Sequence, residues 1–168
     1  MCGRFVLSNF TDVKDFHNVL IEPSYNIAPS HRTLIFNQDM NPDFLEWGYS
    51  PVWAKKPMNL INAKYESLDI KPSFRNYETC VFVADGWFEW QKNSRGEKNP
   101  IFIHADNEIF YFAGIKNTSG AAIVTIDAHP SLANIHQRQP MFLDRLEISH
   151  WLKNKQRISS SNLLEKIK

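Results

Sequence analysis

The 168-residue chain has the length of one domain, and 43% hydrophobic against 22% charged residues is the composition of a folded globular protein. A net charge of +1 and a pI near 7.8 exclude a uniformly basic nucleic-acid coat, so any binding to nucleic acid must rest on a local patch. A chain of this size buries roughly 70% of the surface its unfolded form exposes.

The chain opens Met1-Cys2-Gly3-Arg4-Phe5. Cysteine is small enough for the initiator methionine before it to be trimmed. Cys2 then carries a free α-amine and a thiol on adjacent carbons, a pair that no internal residue can offer. With reference pKa values of about 8 and about 8.5, both groups are partly deprotonated near neutrality. Such a 1,2-aminothiol condenses with an aldehyde to an imine, which the sulfur closes to a thiazolidine. The alternative is an incidental, buried cysteine. Cys80, the second cysteine, lies in the apolar run Cys80-Val81-Phe82-Val83-Ala84 and reads as core; neither belongs to a CxxC or to a Cys/His ligand spacing. No basic region followed by an apolar stretch marks a signal peptide, and no run reaches the ~18 apolar residues of a membrane span. The expected compartment is the cytoplasm, with no membrane contact.

Arg4 to Ser8 reads as a short strand. Thr11 caps a helix through about Leu20, with Val13, Phe16 and Leu20 as its apolar stripe and His17 packed or on the surface. Tyr25-Asn26-Ile27-Ala28-Pro29 reads as an extended loop. Thr33 to Gln38 and Asp43 to Trp47 form a hairpin about the turn Asp39 to Pro42. From Gly48 to Asn59 the chain is irregular yet aromatic, with Tyr49 and Trp53 beside Lys55 and Lys56. Packing under the loop and a platform for an unstacked base both account for that. Asn62, Lys64 and Glu66 share one face if Leu60 to Glu66 is a strand, as a solvated edge or as a polar functional stripe. Ser67 to Tyr77 is helical in pieces, broken at Pro72.

Thr79 to Ala84 is a buried strand, and Gly86 to Gln91 follows. Alternation puts Trp87, Glu89 and Gln91 on one face and Phe88 and Trp90 on the other. A carboxylate among aromatic rings is desolvated, which raises its pKa and suits it to proton transfer; a Glu paired with Arg or Lys is the alternative. After the polar turn Asn93 to Lys98, Pro100 to His104 and Ile109 to Ala113 read as a hairpin around Ala105 to Glu108. Ala121 to Ala128 is a strand and His129 to Ile135 a short helix or turn. His136 and Arg138, two apart, can face one phosphate. Arg145 to Lys153 is an amphipathic helix carrying Leu146 and Trp151, and a basic tail runs from 153 to 168.

Taken together, Cys2-Gly3-Arg4-Phe5, Tyr25-Asn26-Ile27-Ala28-Pro29, Trp47-Gly48-Tyr49, Trp53, Asn62-Ala63-Lys64-Tyr65-Glu66, Ala84-Asp85-Gly86-Trp87-Phe88-Glu89-Trp90 and His136-Gln137-Arg138-Gln139-Pro140 resemble the SRAP family. These are the SOS-response-associated peptidases, or abasic-site-processing proteins, and the resemblance covers about residues 2–152. It implies a single α+β domain with a twisted, mostly antiparallel, barrel-like sheet core and peripheral helices. It implies binding to single-stranded DNA at an abasic site, attachment to the opened sugar through Cys2 and shielding of the lesion; a monomer is the expected state. No metal or organic cofactor is implied. By position Cys2, Asn62, Glu89 and His136 correspond to active-site residues. Arg4, Lys64 and Arg138 correspond to phosphate contacts, and Trp47 and Trp53 support the kinked strand. Lyase-like chemistry and a thiol (auto)peptidase with Cys2 as nucleophile, His136 as base and Glu89 as orienting acid are the two enzymatic readings; a non-covalent single-strand binder is the third. The chain departs from the family in carrying Lys64 where arginine is usual, in Gln139 after the arginine, and in a short C-terminus.

Overall fold

The computed structural model describes residues 1–106 and 108–157, and the remainder of the basic tail lies outside the described residues. Within them the strands, in chain order, are β1 (Arg4–Leu7), β2 (Ser24–Ile27), β3 (Arg32–Phe36), β4 (Pro42–Glu46), β5 (Asn62–Lys64), β6 (Glu78–Ala84), β7 (Gly86–Lys92), β8 (Lys98–His104), β9 (Phe110–Asn117), β10 (Gly120–Asp127), β11 (Arg138–Pro140) and β12 (Phe142–Leu143). The helices are α1 (Phe10–His17), α2 (Pro130–Ala133) and α3 (Arg145–Asn154). One sheet runs β2-β1-β7-β8; the other runs β11-β10-β9-β6-β3-β4, with β12 on β9 and β5 parallel to β10. The α+β class and the mostly antiparallel sheets follow the expectation from sequence.

The continuous apolar run of β6 is explained by its place inside the larger sheet, where every residue from Thr79 to Ala84 is buried. One residue, Asp85, then separates β6 from β7, and the chain crosses into the smaller sheet there. The buried Asp85 carboxylate accepts hydrogen bonds from the Ser8 and Asn9 amides, both at 2.6 Å, and from Ser8 Oγ at 3.0 Å. It therefore fixes the end of β1 against the start of β7. Phe5 closes the gap between the sheets, its ring 5.1 Å from Trp47 and 6.2 Å from Phe82, both edge to face.

Several local expectations change. The hairpin expected from Pro100–His104 and Ile109–Ala113 does not form: β8 pairs with β7 from Gly86↔His104 to Lys92↔Lys98, while β9 pairs with β6 and β10. The polar turn between β7 and β8 decides this, because Asn93 Oδ1 accepts from the amides of Arg95 at 2.9 Å and Glu97 at 3.0 Å, and Gly96 takes a φ of +80°. Asn9, not Thr11, caps α1, and Asn18 ends it in the left-handed conformation at φ 54°. Of the stripe expected there only Val13 is buried; Phe16 and Leu20 are 55% and 75% exposed. Leu146 is likewise exposed on α3, whereas Trp151 is fully buried and donates to the Cys80 carbonyl at 2.9 Å. Tyr25 to Ile27 belongs to β2 rather than to a loop, and the strand expected over Leu60 to Glu66 is only Asn62–Lys64, with Tyr65–Ser67 turning into a 3-10 helix. No helix among the described residues is long and apolar enough to cross a membrane.

Candidate active site at the amino terminus

Pairing of β1 with β7, in the register Arg4↔Phe88, Phe5↔Trp87 and Val6↔Gly86, carries the amino terminus along the strand that bears Glu89. Glu89 is 3% exposed, and its Oε2 accepts from the Met1 ammonium at 3.2 Å. The same Met1 nitrogen lies 2.7 Å from His136 Nε2. β5, held on β10 with Asn62 opposite Ile123, aims Asn62 at the terminus from a third direction, and its Nδ2 donates to the Cys2 carbonyl at 2.8 Å. Four residues expected from sequence to act together, Cys2, Asn62, Glu89 and His136, are thus joined by contacts at one place.

The electrostatics follow from burial. Burial foremost raises the Glu89 carboxyl above its ordinary range, against the opposing pull of the ammonium and of His136. The Cys2 thiol is fully buried, and burial together with the Glu89 charge pushes it well above its usual value. Its recorded contact is to the Arg4 carbonyl at 3.7 Å. Glu89 Oε1 and Asn62 Oδ1 are buried without a hydrogen-bond partner among the described residues, leaving two acceptors available beside Cys2. No group of three or more His, Cys, Asp or Glu side chains gathers among the described residues to hold a metal ion.

The expected DNA contacts are placed unevenly. Lys64 is exposed, and Arg4 is half-buried with Nη1 on the Gly3 carbonyl at 2.9 Å. Trp53 is 57% exposed, with its Nε1 donating to the Pro72 carbonyl at 3.3 Å. Trp47 is fully buried, packed on Phe5 with its Nε1 donating to the Ile61 carbonyl at 2.9 Å, so it presents no face to a base. Arg138 is also buried, and its guanidinium is held by Glu66, Asp127 and Thr125 rather than presented to solvent. Sequence reasoning does not single out Glu66 and Asp127 as its partners; Glu66 stands in a visible motif, but Asp127 carries no local sign of the role. Gln139, a departure from the family pattern, is buried and accepts from the His129 amide at 2.7 Å, which anchors the turn leading to His136.

Comparison with known proteins places this architecture. The chain is 34% identical over 182 residues to abasic site processing protein YoqW of Bacillus subtilis, covering 92% of this chain and 81% of that protein. It is 32% identical to abasic site processing protein YedK of Escherichia coli, covering 91% and 80%. The crystal structure of a phage-related protein from Bordetella bronchiseptica superposes with a TM-score of 0.70 at 27% identity, covering 90% of this chain and 81% of that one. The model of the family described as SOS response associated peptidase (SRAP) matches residues 1–168. A match over that whole length, with the amino terminus gathered onto Glu89 and His136, makes this chain a member of the SRAP family.

Proposed function

We propose that this protein acts as a monomer in the cytoplasm, on the nucleoid if the cell is bacterial, where it binds single-stranded DNA at abasic sites. Once Met1 has been removed, it attaches to the lesion through Cys2. The observation that carries the reading is the amino-terminal nitrogen held between a buried carboxylate and an imidazole. The names of the relatives, abasic site processing proteins, supply the lesion.

An abasic deoxyribose opens to an aldehyde. The Cys2 amine forms a C–N bond to that carbon, and the carbonyl oxygen leaves as water. The sulfur then adds to the imine carbon, and the thiol proton ends on nitrogen, giving the thiazolidine. Net, aldehyde and aminothiol yield the ring and one water. A protonated Glu89 donates to the departing oxygen, and its conjugate base accepts from the amine; His136 serves the same nitrogen from the other side. With Met1 in place burial raises the pKa of the Cys2 thiol, and a thiol kept protonated in this way favours the order amine first, sulfur second. Asn62 holds the Cys2 carbonyl so that amine and thiol keep one orientation.

A cysteine-peptidase reading needs an imidazole on the thiol. Here His136 Nε2 faces the amino terminus, and the sulfur contacts the Arg4 carbonyl, which favours the aminothiol chemistry. Intact-protein mass spectrometry after incubation with an abasic single strand tests the proposal. The expected species is the Met1-free protein plus the oligonucleotide minus one water; bound but unmodified protein would overturn it.

A further inference from the structure

We propose that Glu66 and Asp127 are positioning residues for His136, acting through Arg138. The inference rests on the reading of His136 as a reacting group and extends it to two carboxylates outside the site. Arg138 Nη1 donates to Glu66 Oε1 at 2.7 Å and to Asp127 Oδ1 at 2.6 Å; Nη2 donates to Glu66 Oε2 at 3.0 Å and to the Thr125 carbonyl at 2.7 Å. The Glu66 pair is bidentate, the geometry that fixes a guanidinium in plane as well as in distance. Three segments are pinned by it: the 3-10 turn after β5, the end of β10 and the start of β11.

What is pinned matters because the backbone of Arg138 is the partner of the His136 ring. The Arg138 amide lies 2.9 Å from Nδ1, and the Arg138 carbonyl lies 3.1 Å from the same atom. An amide only donates and a carbonyl only accepts. A neutral ring with its proton on Nε2 takes the amide proton on Nδ1, which suits a neutral terminal amine; a neutral ring facing the ammonium accepts at Nε2 and donates Nδ1–H to the carbonyl. A charged ring likewise donates Nδ1–H to the carbonyl. Residue 138 holds the ring in both protonation states, with Nε2 kept 2.7 Å from the terminal nitrogen. A ring that gains and loses a proton in each cycle needs such a support.

The alternative is an ion cluster that serves only folding. Its carboxylates are 55% and 93% exposed while the guanidinium is only 10% exposed, so losing a carboxylate also costs stability, and the tautomer of the His136 ring is the readout that a folding role alone would not move. The Arg138 hydrogen bond also holds the Glu66 carboxyl below its ordinary range, so the clamp persists at the pH where the chemistry runs.

Two measurements on Glu66→Ala and Asp127→Ala test this. Single-turnover attachment to an abasic strand should slow about tenfold or more in each, as misplacement of a reacting group does. It should slow no further when either change is added to His136→Ala, and Glu66→Gln, which keeps one acceptor, should recover part of the rate. Nitrogen-15 spectra of the His136 ring should show a single tautomer in the wild type and a mixture of both in Glu66→Ala. An unchanged tautomer, or equal slowing with and without His136, would overturn the inference. The spectra need no DNA: a tautomer change in a protein that never attaches to DNA would retain the positioning role and remove the proposed function instead.

Discussion

The Met1 ammonium and the Glu89 carboxylate, 88 positions apart in sequence, meet at 3.2 Å, the first 54% exposed and the second 3% exposed. One charge of the pair is hydrated and the other is not, so the carboxylate depends on the terminus more than the terminus depends on it. Removing Met1 moves the amine one residue inward, onto the carbon next to the thiol. In the proposed reaction Glu89 and His136, which hold the Met1 nitrogen in this structure, receive the Cys2 amine instead.

From this follows a first prediction on Cys2. Cys2→Ser should still bind single strands and lose the heat-stable adduct, because a hydroxyl closes the five-membered ring far more poorly than sulfur does. Denaturing gel electrophoresis after incubation with an abasic strand checks it; undiminished yield would remove the sulfur from the mechanism.

Glu89 gives a second prediction with two readouts. Glu89→Gln keeps the shape but cannot carry the proton, so attachment should slow by about 10²–10⁴-fold. Stability should respond in the opposite sense. Because the folded pKa is raised, the native protein keeps a proton that the unfolded chain has lost between the ordinary carboxylate value and the folded one. Wild-type stability therefore falls as pH rises through that window, and the variant escapes this loss. The melting temperature of Glu89→Gln relative to wild type should rise with pH across the window, and a flat difference would mean that burial does not raise the carboxyl.

Of the four residues that converge on the terminus, Cys2 and Glu89 are legible from their own chemistry, an aminothiol at position 2 and a carboxylate between Trp87 and Trp90, whereas Asn62 and His136 are legible only through the resemblance of their motifs to the family. The meeting of all four is not legible, since it depends on β5 lying parallel to β10 and on the crossing at Asp85, neither of which leaves a periodic trace. Trp47 and Trp53 lie six residues apart in one aromatic stretch, and nothing local tells that one is core and the other surface. The expected hairpin fails for a related reason. Two apolar runs flanking a polar turn occur twice in succession here, and only the Asn93 side-chain bonds distinguish the turn that closes.

Those two tryptophans make a third prediction. Trp47→Ala should destabilise the protein by about 3–5 kcal/mol, since a fully buried indole leaves a cavity between the sheets. Trp53→Ala should leave the melting curve nearly unchanged and weaken binding to single strands by ~1–3 kcal/mol if a base stacks on it. Anisotropy titrations and thermal melts on the pair separate the two roles, and a binding loss confined to Trp47→Ala would reverse the assignment.

The cations give the last prediction, and here burial decides between residues that a motif treats alike. Lys64 is exposed and forms no ion pair among the described residues. A phosphate it meets exchanges a released counterion for the ammonium, and losing that contact should lower the log–log salt slope by about 0.7 on single strands. Arg138 starts from a different state, with its charge already compensated by two carboxylates at 2.7 and 2.6 Å. A phosphate could claim it only by displacing Glu66 or Asp127, so little counterion release is attached to it. Arg138→Ala should therefore leave the slope unchanged while slowing attachment through His136, and Lys64→Ala should do the reverse. Lys64→Arg, with a planar fork that matches a phosphate, should tighten binding at low salt. Affinity measured across a salt series, alongside attachment rates for the same variants, distinguishes the two. A slope lowered by Arg138→Ala with an unaffected rate would mean that the guanidinium leaves its carboxylates to hold DNA.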